Sequence, residues 1–345
     1  MDLGRFPRVS LCHRPTPLEP LRRLTEYLGG PTIYVKRDDC TGLALGGNKA
    51  RKLEFLVAEA LAQNCDTLVT IGGLQSNHCR QTAAAAARYG LRCELILPHL
   101  SRFNSAKYET SGNVLLDQLF GAKLHVVASM EAAVSRIKEV LDGVRARGNS
   151  PYFIPAGGST PLGALGYVDA ARELVDQAAA QELTIDQVVV TTGSSTTHAG
   201  LVVGMHVLEL EQKKSQTPPI AGISVYQREQ PATALVRQRA RETAELLGIS
   251  TEGLAERVSV TDAYLGRGYG EPTEGMVEAV QLTARLEGLL LDPVYTGKTM
   301  AGLIDQVRKG RFSSTDNIVF MHTGGMPALF AYRDAFSSIL EAGSE

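Results

Sequence analysis

Residues 187–205 read QVVVTTGSSTTHAGLVVGM, and this stretch decides the kind of fold. Gln187–Thr191 is a short β-branched apolar run, the composition of a strand buried on both faces. Small and hydroxyl-bearing residues follow through Gly200, and Leu201, Val202, Val203 and Met205 continue as an apolar helix. The same strand, glycine turn and helix recur on either side. Strands are expected at Thr32–Lys36, Thr67–Ile71, Cys93–Leu97, Lys123–Val127, Tyr152–Ile154, Ile220–Tyr226 and Ile318–His322. Helices are expected at Asn48–Ala62, Ser76–Tyr89, Gly112–Phe120 and Met130–Arg147, with a further helix after each of the strands at 187, 220 and 318. Continuous apolar strands separated by helices imply an α/β fold with parallel sheets covered on both faces. At ~150 residues per domain, 345 residues make two domains, and no repeat or low-complexity tether divides them.

Composition narrows the function. Lys plus Arg total 35 against 37 for Asp plus Glu, so there is no basic excess to hold a nucleic-acid backbone. No run approaches the ~20 apolar residues of a membrane helix. The start, MDLGRFPRVSLCHRP, is charged and broken by proline, unlike a signal peptide. The five cysteines are odd in number and form no CxxC pair, which points to the reducing cytoplasm. The seven histidines form no HExxH or comparable ligand spacing, so no metal site is expected.

The chain carries 34 glycines, and many fall at strand-to-helix turns: Gly46-Gly47, Gly72-Gly73, Gly157-Gly158, Gly193 and Gly324-Gly325. Open α/β sheets bind ligands at the carboxyl ends of their strands, where such turns lie. One glycine pair only makes a turn; five such loops point to a ligand. Gly297-Lys298-Thr299 resembles the end of a P-loop, but the earlier glycine that motif needs is Asp292. Gly266-Arg267-Gly268-Tyr269-Gly270 approaches GxGxxG, but Glu271 takes the last position and no strand is expected before it. The segment Gly193-Ser194-Ser195-Thr196-Thr197 is the better anion site, since a helix N-terminus offers free N–H groups and a positive dipole end. A single Ser or Thr would serve as an N-cap, but four consecutive hydroxyls exceed that need.

Lys49 closes the Gly46-Gly47-Asn48 loop and opens a helix, where the dipole disfavours a cation. A lysine partly desolvated beside other cations has a lowered pKa and can form an imine. A phosphate loop together with such a lysine is the pair that pyridoxal phosphate requires.

The motifs carry this further. Lys36-Arg37-Asp38-Asp39, Gly46-Gly47-Asn48-Lys49-Ala50-Arg51-Lys52-Leu53-Glu54-Phe55, Gln75-Ser76-Asn77-His78, Asp292-Pro293-Val294-Tyr295-Thr296-Gly297-Lys298 and His322-Thr323-Gly324-Gly325 occur in order. Together they resemble the D-cysteine desulfhydrase and 1-aminocyclopropane-1-carboxylate (ACC) deaminase family of pyridoxal phosphate enzymes, from Arg5 to about Tyr332. The resemblance implies a two-domain, three-layer parallel-sheet architecture of the tryptophan-synthase-β-like kind, fold type II. Residues 1–49 and 162–345 would form the larger cofactor domain and 50–161 a smaller inserted α/β domain. It also implies a cytoplasmic homodimer acting on a small amino acid.

By the same resemblance Lys49 is the Schiff-base lysine and acid/base at Cα. Asn77 is implied to bond the cofactor's phenolic oxygen, and Ser76 with the N–H groups of Asn77 and His78 to hold the substrate carboxylate. Gly193, Ser194, Ser195, Thr196 and Thr197 would take the phosphate, although Ser195 and Thr196 depart from the glycine-richer desulfhydrase loop. Tyr269 and Tyr295 are the implied active-site tyrosines. ACC deaminases carry Glu where this chain has Thr296, a position near the substrate, and Leu where it has Thr323. Thr323 is implied to face the pyridine nitrogen with a neutral hydroxyl, which makes a weaker electron sink. That suffices for loss of a good leaving group from Cβ and argues against opening a cyclopropane. The implied activity is β-elimination from D-cysteine to pyruvate, hydrogen sulfide and ammonia. L-Cysteate sulfo-lyase is the alternative, favoured if Arg102, Arg267 or another basic residue meets the β-substituent. ACC deamination, or a non-catalytic pyridoxal phosphate or amino-acid-binding protein, ranks lower.

Overall fold

The computed structural model describes residues 2–103, 105–212 and 217–337. Its strands are β1 (Leu18–Pro20), β2 (Thr32–Arg37), β3 (Thr67–Ile71), β4 (Arg92–Pro98), β5 (Lys123–Val127), β6 (Pro151–Ile154), β7 (Gln187–Thr192), β8 (Ile220–Ser224), β9 (Val258–Thr261) and β10 (Asn317–His322). Its helices are α1 (Arg22–Leu28), α2 (Lys49–Ala62), α3 (Asn77–Arg88), α4 (Ala106–Thr110), α5 (Asn113–Leu119), α6 (Met130–Ala146), α7 (Pro161–Ala180), α8 (Thr196–Gln212), α9 (Glu229–Leu247), α10 (Glu274–Glu287), α11 (Thr296–Arg308) and α12 (Ala328–Ala331).

Two sheets result. One runs β1-β2-β10-β7-β8-β9, parallel except for β1, and the other runs β5-β4-β3-β6, wholly parallel. The period of two along each strand divides the core. In the six-stranded sheet Val188, Val190, Val319 and Met321 pack with α7, α8 and α9. Ile33, Val35, Val189, Ile318 and Phe320 turn the other way, to α1, α10 and α11. In the four-stranded sheet Leu68, Leu95 and Ile154 meet α2 and α3, while Val69, Ile71 and Ile96 meet α6. Each sheet is thus a middle layer between helices.

Helix α7 has contacts too close for side chains. A Cβ on Gly166 would stand 2.3 Å from the Arg51 carbonyl on α2, one on Gly200 2.6 Å from the Ala164 carbonyl, and one on Gly204 2.5 Å from the Ala171 Cβ. So α2 and α8 both lie directly against α7. A buried ion cluster adds to this: Arg51 donates to Asp38 at 2.8 and 2.9 Å and to Glu173 at 2.8 Å, and Lys36 donates to Glu173 at 2.5 Å.

Three expectations change. The helix after β10 shrinks to the single turn α12, because Gly324-Gly325 takes the chain through positive φ values of 84° and 107° first. β9 was not expected, and it does lead toward Gly266. Glu271 nevertheless excludes a phosphate there, since its Oε1 accepts from the backbone N–H of Arg102 and Phe103 and from Ser101 Oγ. β1, α1, α4, α7, α10 and α11 were also outside the expected elements.

Candidate active site

Lys49 is the first residue of α2, at the end of a tightly held loop. Thr41 Oγ1 accepts from Gly47 N–H at 2.8 Å and donates to the Gly47 carbonyl at 3.0 Å. The Gly46 carbonyl accepts from Arg80 Nη2 at 2.8 Å and Gln81 Nε2 at 3.0 Å. Asn48 does not cap the helix with its side chain; Gln81 Oε1 instead accepts from Ala50 N–H at 2.7 Å. Burial brings the Lys49 amine down from 10.5 to about 8. One turn on, Lys52 is fully buried, donates to the Gly157 carbonyl at 3.2 Å and is pushed well below its ordinary value by burial and by Lys49. Among the described residues neither amine has a carboxylate partner. Two amines on one helix face, Lys52 fully buried and Lys49 half-buried, without a counter-charge describe a site for an anion.

The hydroxyl loop lies across from them. Ser195 adopts φ +68°, rare for a residue with a side chain, and its buried Oγ has no partner. Thr197 Oγ1 accepts from Asn48 Nδ2 at 2.9 Å, joining this loop to the one before Lys49. Gly193, Ser194, Ser195 and Thr197 line a narrow pocket with Lys49, Asn77 and Thr323. Thr196 turns elsewhere, with Oγ1 2.6 Å from Ser159 Oγ. A Cβ on Gly157 would stand 2.4 Å from Ser194 Oγ and 3.6 Å from Lys49 Nζ, so that glycine is required by the approach.

Ser76 caps α3, its Oγ accepting from Cys79 N–H at 3.2 Å. Asn77 begins the helix, and its Oδ1 accepts from Arg80 Nη1 and Asn113 Nδ2, each at 3.0 Å. The amide orientation follows, and Nδ2 is left to donate. Thr70 Oγ1 donates to the Ile154 carbonyl at 2.7 Å and so accepts from His78 Nε2 at 2.8 Å. His78 Nδ1 is then a bare acceptor without a partner, and burial beside Lys49 and Lys52 keeps the ring neutral.

A wider cavity of about 310 Å³ opens from the narrow pocket, sharing Lys49, His78, Ser194 and Tyr295 with it and adding Ser76, Tyr269, Tyr226 and Arg239. The Tyr269 and Tyr295 hydroxyls are 2.5 Å apart, and burial raises both above the ordinary phenol value. Both are protonated at neutral pH, so one proton bridges the pair and the other is available to a ligand. Lys298 donates to the Leu265 and Gly268 carbonyls at 2.7 and 3.0 Å, fixing the loop that carries Tyr269. That is the role of the P-loop-like triplet.

Lys49, Ser76, Asn77, His78, Gly193, Ser194, Ser195, Thr197, Tyr269, Tyr295 and Thr323 therefore meet around one continuous space. Thr296 does not reach it. It is fully buried at the start of α11, donates to Asp292 Oδ1 at 2.7 Å and accepts from Asp292 N–H at 2.8 Å. Its expected contact with substrate is corrected to one with Asp292. Lys52, Arg80 and Arg239 were not singled out for this site from sequence, whereas Gly157 was among the glycine loops expected at a ligand. Lys52 alone had a signal, its spacing of three from Lys49 on one helix. Among the described residues no group of three or more His, Cys, Asp or Glu could hold a metal, and no helix is long and apolar enough to cross a membrane.

Comparison with known proteins places the chain in a family. The family described as "Pyridoxal-phosphate dependent enzyme" matches residues 9–324. The D-cysteine desulfhydrase of Yersinia enterocolitica is 47% identical over 330 residues, covering 96% of this chain and 97% of its own. The crystal structure of an ACC deaminase homologue superposes with a TM-score of 0.86 at 36% identity, covering 98% of this chain and 97% of that one. A T.th. threonine deaminase shares the fold, with a TM-score of 0.61 at 19% identity over 91% of this chain and 92% of its own.

Proposed function

The chain belongs to the family of pyridoxal-phosphate dependent enzymes, and from that premise we propose that it is a carbon–sulfur lyase of the D-cysteine desulfhydrase type. It would convert D-cysteine to pyruvate, hydrogen sulfide and ammonia. One observation carries the reading: Lys49, an amine brought to about 8, stands between an anion-binding loop and the N-terminus of α3.

The residues present fit the cofactor. The unpartnered Ser195 Oγ, the amines of Lys49 and Lys52 without carboxylates, and the close approach at Gly157 make a cradle for a dianionic phosphate. Gly193, Ser194, Ser195 and Thr197, Lys52 and the first-turn N–H groups of α8 would hold that phosphate. Thr196 contributes through the backbone, its hydroxyl being engaged by Ser159. Lys49 would bind the cofactor's aldehyde carbon, Asn77 Nδ2 would donate to its phenolic oxygen, and Thr323 would face its ring nitrogen with a neutral hydroxyl. When bound, pyridoxal phosphate supplies an electron sink for the charge left at the substrate Cα.

The protein's own groups do the rest. Ser76 and the N–H groups of Asn77 and His78 receive the substrate carboxylate at a helix N-terminus. Lys49, as a free amine near neutral pH, takes the proton from Cα. Tyr269 and Tyr295 face the β-substituent, and the proton not shared between them assists the departing sulfur. His78 stays neutral and does not compete for the carboxylate. Residues 1–49 and 162–345 form the larger domain in this reading and 50–161 the smaller, which suits a four-stranded sheet drawn wholly from residues 67–154. Five free cysteines suit the cytoplasm, and exposed Leu45 and Leu290 beside one surface depression suit a homodimer.

Arg239 favours a second reading. It lines the cavity, where no carboxylate does, and would accept the sulfonate of L-cysteate. Arg102 and Arg267 do not line it. Pyruvate release from D-cysteine, L-cysteine, L-cysteate and ACC separates the readings. D-Cysteine is expected to be fastest; release from L-cysteate alone would favour the second reading, and a colourless protein that takes up no pyridoxal phosphate would sink both.

A further inference from the structure

Arg80 lies one turn into α3, and its guanidinium is fully buried. Among the described residues it forms no ion pair. Nη1 donates to Oδ1 of Asn77 at 3.0 Å and Oδ1 of Asn113 at 2.7 Å, and Nη2 donates to the Gly46 carbonyl at 2.8 Å. Nε has no partner. The acidic groups acting on it from further off are Asp117 and Asp292, and burial brings it to about 10, so it is charged at neutral pH. A buried cation whose hydrogen-bond partners are only amide and carbonyl oxygens carries a large desolvation penalty. What it gains is geometry on two fronts.

The first is the Asn77 amide. Asn113 Nδ2 donates to the same Asn77 Oδ1, and this double engagement turns Nδ2 toward Gly325, where a Cβ would come within 2.8 Å of it. The second is the loop before Lys49. Arg80 and Gln81 share the Gly46 carbonyl, and Gln81 also holds the Ala50 N–H. One side chain thus ties the donor at Asn77 to the loop that ends in the reactive lysine.

We propose that Arg80 is a positioning residue that holds the Asn77 amide and the Gly46–Lys49 loop in register, so that Asn77 and Lys49 address the phenolic oxygen and the neighbouring aldehyde carbon of one cofactor. This rests on the pyridoxal phosphate reading above. The cofactor itself responds, because a donor on the phenolic oxygen favours its anionic form.

The test compares Arg80→Gln, Arg80→Lys, Asn77→Ala and the double variant Arg80→Gln/Asn77→Ala in the full chain. The readouts are the dissociation constant of pyridoxal phosphate and the ratio of its long- to short-wavelength absorbance bands at neutral pH. Arg80→Gln is expected to weaken cofactor binding about 10-fold and lower the band ratio, Arg80→Lys to restore part of both, and the double variant to match the worse single variant. A band ratio and dissociation constant unchanged in Arg80→Gln, or effects that add in the double variant, would overturn the proposal. If Arg80→Gln does not fold, Asn113→Ala removes one donor from Asn77 Oδ1 and one acceptor from Arg80 Nη1, and leaves the guanidinium's bond to the Gly46 carbonyl. A weakening of about threefold is then expected, and none would overturn the proposal. Wild-type protein that takes up no cofactor would overturn the functional reading as well, whereas a normal wild type beside an unaffected Arg80→Gln refutes this inference alone.

Discussion

Replacing Lys49 by Met should make the cofactor-free protein more stable, although it should abolish the reaction. Burial lowers the folded-state pKa of Lys49 from 10.5 to about 8, so between those values the unfolded chain binds more protons than the folded one. Stability from this group therefore rises with pH across that window, and the penalty is complete below about 8. A shift of this size corresponds to roughly 3 kcal/mol at about 1.4 kcal/mol per unit, and the partial exposure of the side chain reduces it to about 1–2 kcal/mol. Lys52, depressed in part by Lys49, acts in the same direction when its neighbour loses charge. Urea unfolding of the two apo-proteins from neutral pH to about pH 10 reads the effect directly. The Met variant should lead at neutral pH, and the gap should close as the lysine in the wild type deprotonates. Met also adds a pH-independent packing term, so the slope of the gap is diagnostic rather than its offset. A gap that stays constant with pH, or a less stable Met variant whose deficit does not vary, refutes the claim that this amine is held against its own protonation. With pyridoxal phosphate present the order should reverse, because in the proposed reading only the wild type binds it covalently.

Two further outcomes follow from the cavity. Tyr295→Phe removes one hydroxyl of the dyad and should lower kcat for elimination about 10²-fold while the absorbance of the bound cofactor is unchanged; a large spectral change would place Tyr295 on the cofactor instead. Arg239→Ala should lower kcat/KM for L-cysteate about 10- to 100-fold and leave D-cysteine within about threefold, measured by pyruvate release; equal losses on both would remove Arg239 from substrate selection.

Much of the architecture was legible because buried parallel strands announce themselves. TLVTI, QVVVT and IVFMH have no polar partner to alternate with, and each is a strand within a residue of its expected bounds. β9 was not, since VSVT is short and alternates like many loop-flanking segments. Helix α7 was not expected either; glycine has low helix propensity, and Gly166 is accommodated there because the Arg51 carbonyl lies against it. Within the site, motif residues such as Lys49 and Ser76 could be named in advance. Arg80 could not, because its contacts are made across the fold, to the Asn77 amide and the Gly46 carbonyl. Thr296 was expected near the substrate because ACC deaminases carry Glu at that position, and a shared motif position does not fix where its side chain points. The first turn of α11 points the tyrosine into the cavity and the threonine back onto Asp292.

The glycine-mediated contacts of α7 have a consequence for cofactor selection. Lys49 begins α2 and the proposed phosphate loop leads into α8, and both helices meet α7 so closely that Gly166, Gly200 and Gly204 have no room for a Cβ. The distance from the amine to the proposed anion cradle is therefore set by these close helix contacts, like the gap of a fixed gauge. Such a gauge measures the length between an aldehyde and its phosphate. A vitamer lacking the phosphate spans only part of the gap, and an analogue with one more methylene in its arm overfills it. Selectivity among vitamers then comes from the helical frame itself, even with every contacting side chain left as it is.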